Sequence, residues 1–324
     1  MKKLNQEDLK RKKAIEDFLE ERTSINSEKS LEELIEASSI IKQLNDFIDS
    51  KLELSSKEIE SKIKRLISHF TITLIYEFNS EIALRRARKF TTEETSIPFC
   101  FDNLEDMLYV PESKKSIIPL GRFNKKEESI YYASIFFKED ENEEYFFETA
   151  ISEINGLKFD YINILDSKPT KCLNVVYIGV FDQLARKKQL PKWIDEHYYE
   201  TYQLFKEKCL KKDNRYLFES YLLSNAFFAD IIQREGHERL YKVTSIISSL
   251  LMSDNNVDAI IYESVKVKNS PNIAIKPKVV DNYLVHSEVF SIKINEDLGY
   301  GLYYVKSIKK GEICNNKILT WYNN

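Results

Sequence analysis

The sequence predicts an α+β protein in which a mixed body follows an α-helical N-terminal extension. Three observations predict this. Residues 1–78 carry apolar positions at helical spacing with no strand-like alternation. From residue 79 onward, short apolar or alternating segments of strand length are interleaved with helices. No internal repeat or low-complexity linker interrupts the chain. The expected division is a helical extension over 1–78, a mixed body over 79–285, and C-terminal strands over 286–324 packed on that body.

In the extension, Leu31, Leu34, Ile35, Ile41, Leu44 and Ile48 share one stripe. A second stripe holds Ile59, Ile63, Leu66, Ile67, Phe70 and Leu74. Ser55-x-x-Glu58 reads as a capping box that starts the second of these helices. The two stripes are expected to cover each other; the other reading is a surface for a partner or a second copy. After residue 79, Leu84, Arg86, Arg88 and Phe90 alternate with Ala83, Arg85, Ala87 and Lys89, so a strand would carry Arg86 and Arg88 on one face. Prolines 98, 111 and 119 mark an irregular stretch. Strands are expected over 129–137, 171–180, 258–265 and 301–308, and helices over 143–154, 215–233 and 240–252.

Composition narrows the function. The 324 residues are 43% hydrophobic and 31% charged, and the formal net charge is −4, so there is no basic excess to neutralise a nucleic-acid backbone. No apolar run suits a signal peptide or a membrane span, and a cytoplasmic location without membrane or nucleic-acid partners is expected. Cys100, Cys172, Cys209 and Cys314 form no C-x-x-C pair and the four histidines are dispersed, so no metal site is expected. Gly299-Tyr-Gly301 lacks the third glycine of a dinucleotide fingerprint, which argues against Rossmann-type redox use of a nicotinamide cofactor.

The candidate functional residues are short motifs in a particular order. Arg86 and Arg88 supply planar forks suited to phosphate oxygens; on local pattern alone they read as a charged edge strand. Gly121-Arg122-Phe123-Asn124 is a turn in which Gly121 allows close backbone approach and Arg122 and Asn124 add donors. Tyr131 follows in Ile130-Tyr-Tyr-Ala133, where a tyrosine is core by default. Glu148 closes an acidic, aromatic segment, with Glu144 one helical turn earlier as its competitor. Ser264 ends the strand Ile260-Ile-Tyr-Glu263, and Asn272 opens the next apolar segment.

In this order the motifs resemble the RES domain, a family named for its Arg, Glu and Ser and belonging to the ADP-ribosyltransferase-like folds. The resemblance spans roughly residues 80–280. It implies NAD as substrate and cleavage of the nicotinamide–ribose bond, by glycohydrolysis, phosphorolysis or ADP-ribosyl transfer. It also implies catalytic roles for Arg86, Glu148 and Ser264, with Arg88, Gly121, Arg122, Asn124, Tyr131 and Asn272 around the ligand and Tyr131 stacked on nicotinamide. Characterised members are often toxins paired with an antitoxin. A toxin or defence effector is therefore expected, with the N-terminal helices as a surface for an antitoxin, a regulatory protein or a second copy. The other reading is a non-catalytic binding or scaffold protein that works through its helical region.

Overall fold

A computed structural model describes residues 6–70, 75–78, 82–91, 95–136, 147–187, 194, 196–267, 270–314 and 317–323. Along the chain these form α1 (Gln6–Arg22), α2 (Ser27–Ile48), α3 (Ser56–Phe70), β1 (Ile75–Phe78), β2 (Ala83–Lys89), β3 (Tyr131–Phe136), α4 (Glu148–Glu153), β4 (Tyr161–Pro169) and β5 (Leu173–Tyr177). There follow α5 (Val180–Lys187), α6 (Glu196–Lys211), α7 (Arg215–Gln233), α8 (Glu238–Met252), β6 (Ala259–Glu263), β7 (Pro271–Ile275), α9 (Pro277–Tyr283), β8 (Leu284–Gly299), β9 (Leu302–Ile313) and β10 (Leu319–Asn323). Short 3-10 helices cover Leu104–Met107 and Glu112–Ile117. The chain is thus α+β, and no helix among the described residues is long and apolar enough to cross a membrane.

The chain divides into two compact units. One is helical and joins Met1–Thr73 to Ile178–Ile231; the other holds the sheet and joins Leu74–Tyr177 to Ile232–Asn324. The sequence boundary at 78 falls at the end of a sheet strand, because β1 pairs antiparallel with β5. Residues 178–231 go with the N-terminal helices rather than with the sheet.

In the helical unit, Asn26 caps α2 by accepting the Lys29 N–H at 2.8 Å. The Ser55–Glu58 capping box forms reciprocally: Ser55 N–H donates to Glu58 Oε2 at 2.8 Å and Glu58 N–H donates to Ser55 Oγ at 3.3 Å. Ile59, Ile63 and Leu66 are buried on α3, as their spacing requires. On α2 the buried side is rotated from the expected stripe. Ser30, Glu33 and Ala37 turn inward ahead of Ile40, Ile41, Leu44 and Ile48, while Leu31 and Ile35 are exposed. The cause is Arg22. Its guanidinium donates to Glu33 Oε2 at 3.1 Å, to the His69 carbonyl at 2.9 Å and to Tyr221 Oη at 3.0 Å, and this half-buried charge draws Glu33 in.

The sheet runs β1-β5-β6-β7-β3-β2-β4-β8-β9-β10. Among the described strands only β5 and β6 pair in parallel, and the chain between them passes through α5–α8, the long crossover a parallel pair needs. β8 and β9 form a hairpin whose turn, Gly299-Tyr300-Gly301, has φ of +78°, +58° and +81°. This is why glycine flanks the tyrosine there.

β2 is a central strand rather than the edge strand its charges suggest. Arg85 lies opposite Asp166 in register and binds it bidentately, Nε–Oδ1 at 2.7 Å and Nη2–Oδ2 at 2.5 Å. Its guanidinium packs 4.3 Å from the ring centroid of Phe136 and 4.6 Å from that of Phe147. On the same face Ala87 joins Ala150, Ile151, Ile162, Ile164, Ile292 and Ile294 in a core cluster that fixes α4 against β2, β4 and β8.

Among the described residues, β3 and β2 are joined by three pairs. Ala83, Leu84 and Arg85 pair with Phe136, Ile135 and Ser134. Beyond Arg85, β2 continues with β4 as far as Lys89, while β3 continues with β7 through Ala133, Tyr132 and Tyr131. The two halves of the sheet therefore part where the register would set Arg86 opposite Ala133.

One titratable group in the sheet gives a pH-dependent stability. His286 faces Ser167 in register, and its Nδ1 lies 2.8 Å from Ser167 Oγ. Burial first, and then the Lys317 charge, push the imidazole from 6.5 down to about 4, with Asp281 opposing. Between these values the unfolded chain takes up a proton that the folded chain refuses, so folding is weakened as pH falls from about 6.5 to about 4. Urea unfolding across that window is expected to show this loss in the native protein and less of it in His286→Gln. Equal pH dependence in both would remove His286 as a cause.

Candidate functional site

A cavity of about 670 Å³ opens where the sheet parts, entirely within the sheet unit. Such a volume suits a small-molecule or cofactor ligand. Six cationic residues line it, Arg85, Arg86, Arg88, Lys89, Arg122 and Lys266, against two carboxylates, Glu153 and Glu235. Arg85 is neutralised by Asp166 and Lys89 by Asp160.

Arg86 bridges the split. Its Nη1 donates to the Tyr132 carbonyl of β3 at 2.7 Å, where a neighbouring strand would otherwise supply the donor. Nε donates to the Met107 carbonyl at 3.0 Å and Nη2 to the Leu108 carbonyl at 3.3 Å. Arg88, two residues along the strand, donates to the carbonyls of Asp106 and Leu108, so both arginines share a face as strand alternation requires. Among the described residues no carboxylate pairs with either. Burial depresses Arg86 to about 10, leaving it cationic at neutral pH. Backbone carbonyls take three of the five guanidinium donors, and the uncompensated charge favours an anion in the cavity.

The loop before β3 is built around Tyr132. Its hydroxyl accepts the Phe123 N–H at 3.1 Å and donates to Asn124 Oδ1 at 2.9 Å. Asn124 Nδ2 donates to the carbonyls of Pro119 and Lys125, both at 2.9 Å. A Cβ on residue 121 would lie 2.3 Å from Asn124 Oδ1, so glycine is needed there for close approach. The loop presents Arg122 to the cavity, where its Nη1 and Nη2 donate to the carbonyls of Ile232 (2.5 Å) and Arg234 (2.9 Å).

Across the cavity, α4 ends in Glu153. Its Oε1 accepts Ser264 Oγ at 2.5 Å and Asn272 Nδ2 at 2.7 Å, and Oε2 has no hydrogen-bond partner among the described residues. Ser264 Oγ in turn accepts the N–H groups of Lys266 (3.1 Å) and Val267 (3.0 Å), which fixes its proton on the carboxylate. Ser134 Oγ donates to Asn272 Oδ1 at 2.9 Å. The result is a carboxylate held on one oxygen by neutral donors, facing a cationic cavity. Such a pair of sides can hold a phosphate-bearing ligand and place an anion beside a centre that becomes positive.

The structure brings Arg86, Arg88, Arg122 and Asn272 to the cavity lining, with Ser264 behind Glu153. Gly121 and Asn124 shape the loop and are not in the lining. Tyr131 is wholly buried beneath Arg86, 5.1 Å from ring centroid to guanidinium, with its hydroxyl 3.3 Å from Ser167 Oγ; Tyr132, Tyr241 and Tyr262 line the cavity instead. Glu148 begins α4, half-buried and outside the lining; burial raises its carboxyl above the ordinary value, opposed by a hydrogen bond from the Tyr303 backbone. Glu144 lies outside the described residues.

The sequence reasoning missed Glu153, Tyr132 and Ser134. For the first, the sequence carries the spacing but not which side of the helix faces inward. Glu153 lies five positions after Glu148, about 140° around a helix, so only one can share the side of Ala150 and Ile154 that borders the cavity.

Tyr132→Phe leaves the Phe123 N–H and Asn124 Oδ1 without their common partner in a buried loop. It is expected to destabilise the fold by about 1–3 kcal/mol, read as a shift in the urea midpoint. An unchanged midpoint would show that the loop does not depend on this hydroxyl.

The chain matches no model of a known protein family, and it matches none of the curated proteins compared with it.

Proposed function

We propose that this chain is an NAD-consuming enzyme of the RES type, with an ADP-ribosyltransferase-like sheet unit, which breaks the bond between nicotinamide and ribose and acts as a toxin or defence effector. The observation that carries the reading is the anchored Glu153 carboxylate, in a cavity whose half-buried guanidiniums, Arg86 and Arg88, have no carboxylate partner among the described residues. NAD supplies what both sides lack. Its pyrophosphate offers planar oxygen pairs to Arg86, Arg88 and Arg122. Its nicotinamide is cationic and leaves neutral, so little acid catalysis is needed. Positive charge builds on the ribose instead, where Oε2 of Glu153 stabilises it and holds the ribose hydroxyls. Glu153 thus takes the role that the sequence assigned to Glu148. Tyr132 or Tyr262, in place of Tyr131, offers a ring to the nicotinamide. Water, inorganic phosphate or a protein side chain completes the reaction.

A second reading is favoured by the three carbonyls that engage Arg86. Under it Arg86 is only a brace, and the protein is a non-catalytic module acting through its helical region.

Incubation with NAD separates the two. Free nicotinamide is expected by chromatography, with phosphate-free and phosphate buffers distinguishing ADP-ribose from its phosphorylated product. Glu153→Gln is expected to lower the rate by about 10²–10³, and Glu148→Gln to change it little. No release in any buffer, with cell extract added as a source of acceptor, would overturn the enzyme reading. The reverse ranking of the two variants would return the catalytic role to Glu148.

A further inference from the structure

We propose that Ser134 is a positioning residue for the carboxylate of Glu153, acting through Asn272. The inference rests on the reading of Glu153 as the catalytic carboxylate. Its geometry is a chain of buried polar groups: Ser134 Oγ to Asn272 Oδ1 at 2.9 Å, then Asn272 Nδ2 to Glu153 Oε1 at 2.7 Å. Ser134 and Asn272 are 6% and 1% exposed, so neither end of the amide can turn to water instead.

The direction of the chain is forced. An ionised carboxylate only accepts hydrogen bonds, so the amide must turn Nδ2 toward Glu153. Oδ1 then faces Ser134, whose hydroxyl must donate. A donor at residue 134 therefore selects the one amide orientation that serves an anionic Glu153. Without it Oδ1 is left buried with no donor, and the amide can swing away from Glu153 to find one. Ser264 would then hold Glu153 alone, and the carboxylate would turn about that single contact.

Ser134 is well placed for this. It is the last β3 residue paired with β2, opposite Arg85, and on its other side it pairs with Asn272. Both strands fix its Cα at the point where the sheet parts, so the hydroxyl is aimed by the ladder itself.

The test uses the full chain with Ser134→Ala and Ser134→Thr, the second keeping the hydroxyl. Steady-state nicotinamide release gives kcat and KM. Side-chain amide NMR signals of Asn272, assigned by their loss in Asn272→Asp, report its orientation without any substrate. Ser134→Ala is expected to move those signals and to lower kcat about tenfold with KM little changed; Ser134→Thr is expected to restore both. Asn272 signals unmoved in Ser134→Ala would overturn the proposal whatever the turnover. Moved signals with native kcat would overturn the catalytic consequence. A native protein that releases no nicotinamide would instead overturn the reading of the site, and the amide signals would still decide whether Ser134 sets Asn272.

Discussion

The sheet unit depends on one arginine side chain standing where a strand would be. Among the described residues three pairs join the two halves of the sheet, and past Arg85 none of these residues ladders across. A carbonyl at such a parting must find a donor, because a buried backbone oxygen without one costs as much as a lost hydrogen bond. Arg86 supplies it to Tyr132 and, with the same guanidinium, ties down Met107 and Leu108. The cavity is the space this bridge keeps open. Its cationic character follows from the same cause, since a side chain that must give hydrogen bonds in several directions without accepting any is a guanidinium.

The opposite side of the cavity follows another rule. Glu153 is held by a hydroxyl and an amide, not by one of the arginines. A guanidinium there would neutralise the carboxylate and fill the space a ligand needs. Neutral donors fix its position and leave its charge available. Arg85 shows the contrast: bidentate to Asp166 and packed between two phenyl rings, its charge is already matched by a carboxylate.

How far the sequence revealed this depended on whether the signal was local. The Ser55–Glu58 box, α7 over 215–233 and the shared face of Arg86 and Arg88 were legible, because capping geometry and periodicity act within a few residues. The tyrosine at the cavity was read one residue too early, and on a strand one residue reverses the face. Glu148 is weighed only against Glu144, and Glu153 is not reached, because helix phase cannot be set without knowing which side the core occupies; that core includes Ile292 and Ile294, distant in sequence. The rotated face of α2 has the same origin, since Arg22 lies on the preceding helix and Tyr221 nearly two hundred residues away. β2 looked like an edge because its charges are satisfied by carbonyls of Asp106–Leu108, which no residue type announces.

The two units are threaded through each other along the chain, the helical one interrupted by 74–177 and the sheet one by 178–231. Asn214, for instance, donates to the carbonyls of Thr23 and Ile25, and Tyr221 receives Arg22. During synthesis α1–α3 must therefore wait for α6 and α7 while the intervening strands are made, about 5–20 s at ordinary elongation rates. The sheet in turn cannot add β6–β10 until the helical segment has passed. Neither unit can be finished before the other has begun, so the nascent chain carries two incomplete cores at once. A ribosome-bound chaperone would meet this protein as a single late-closing client rather than as two domains in succession.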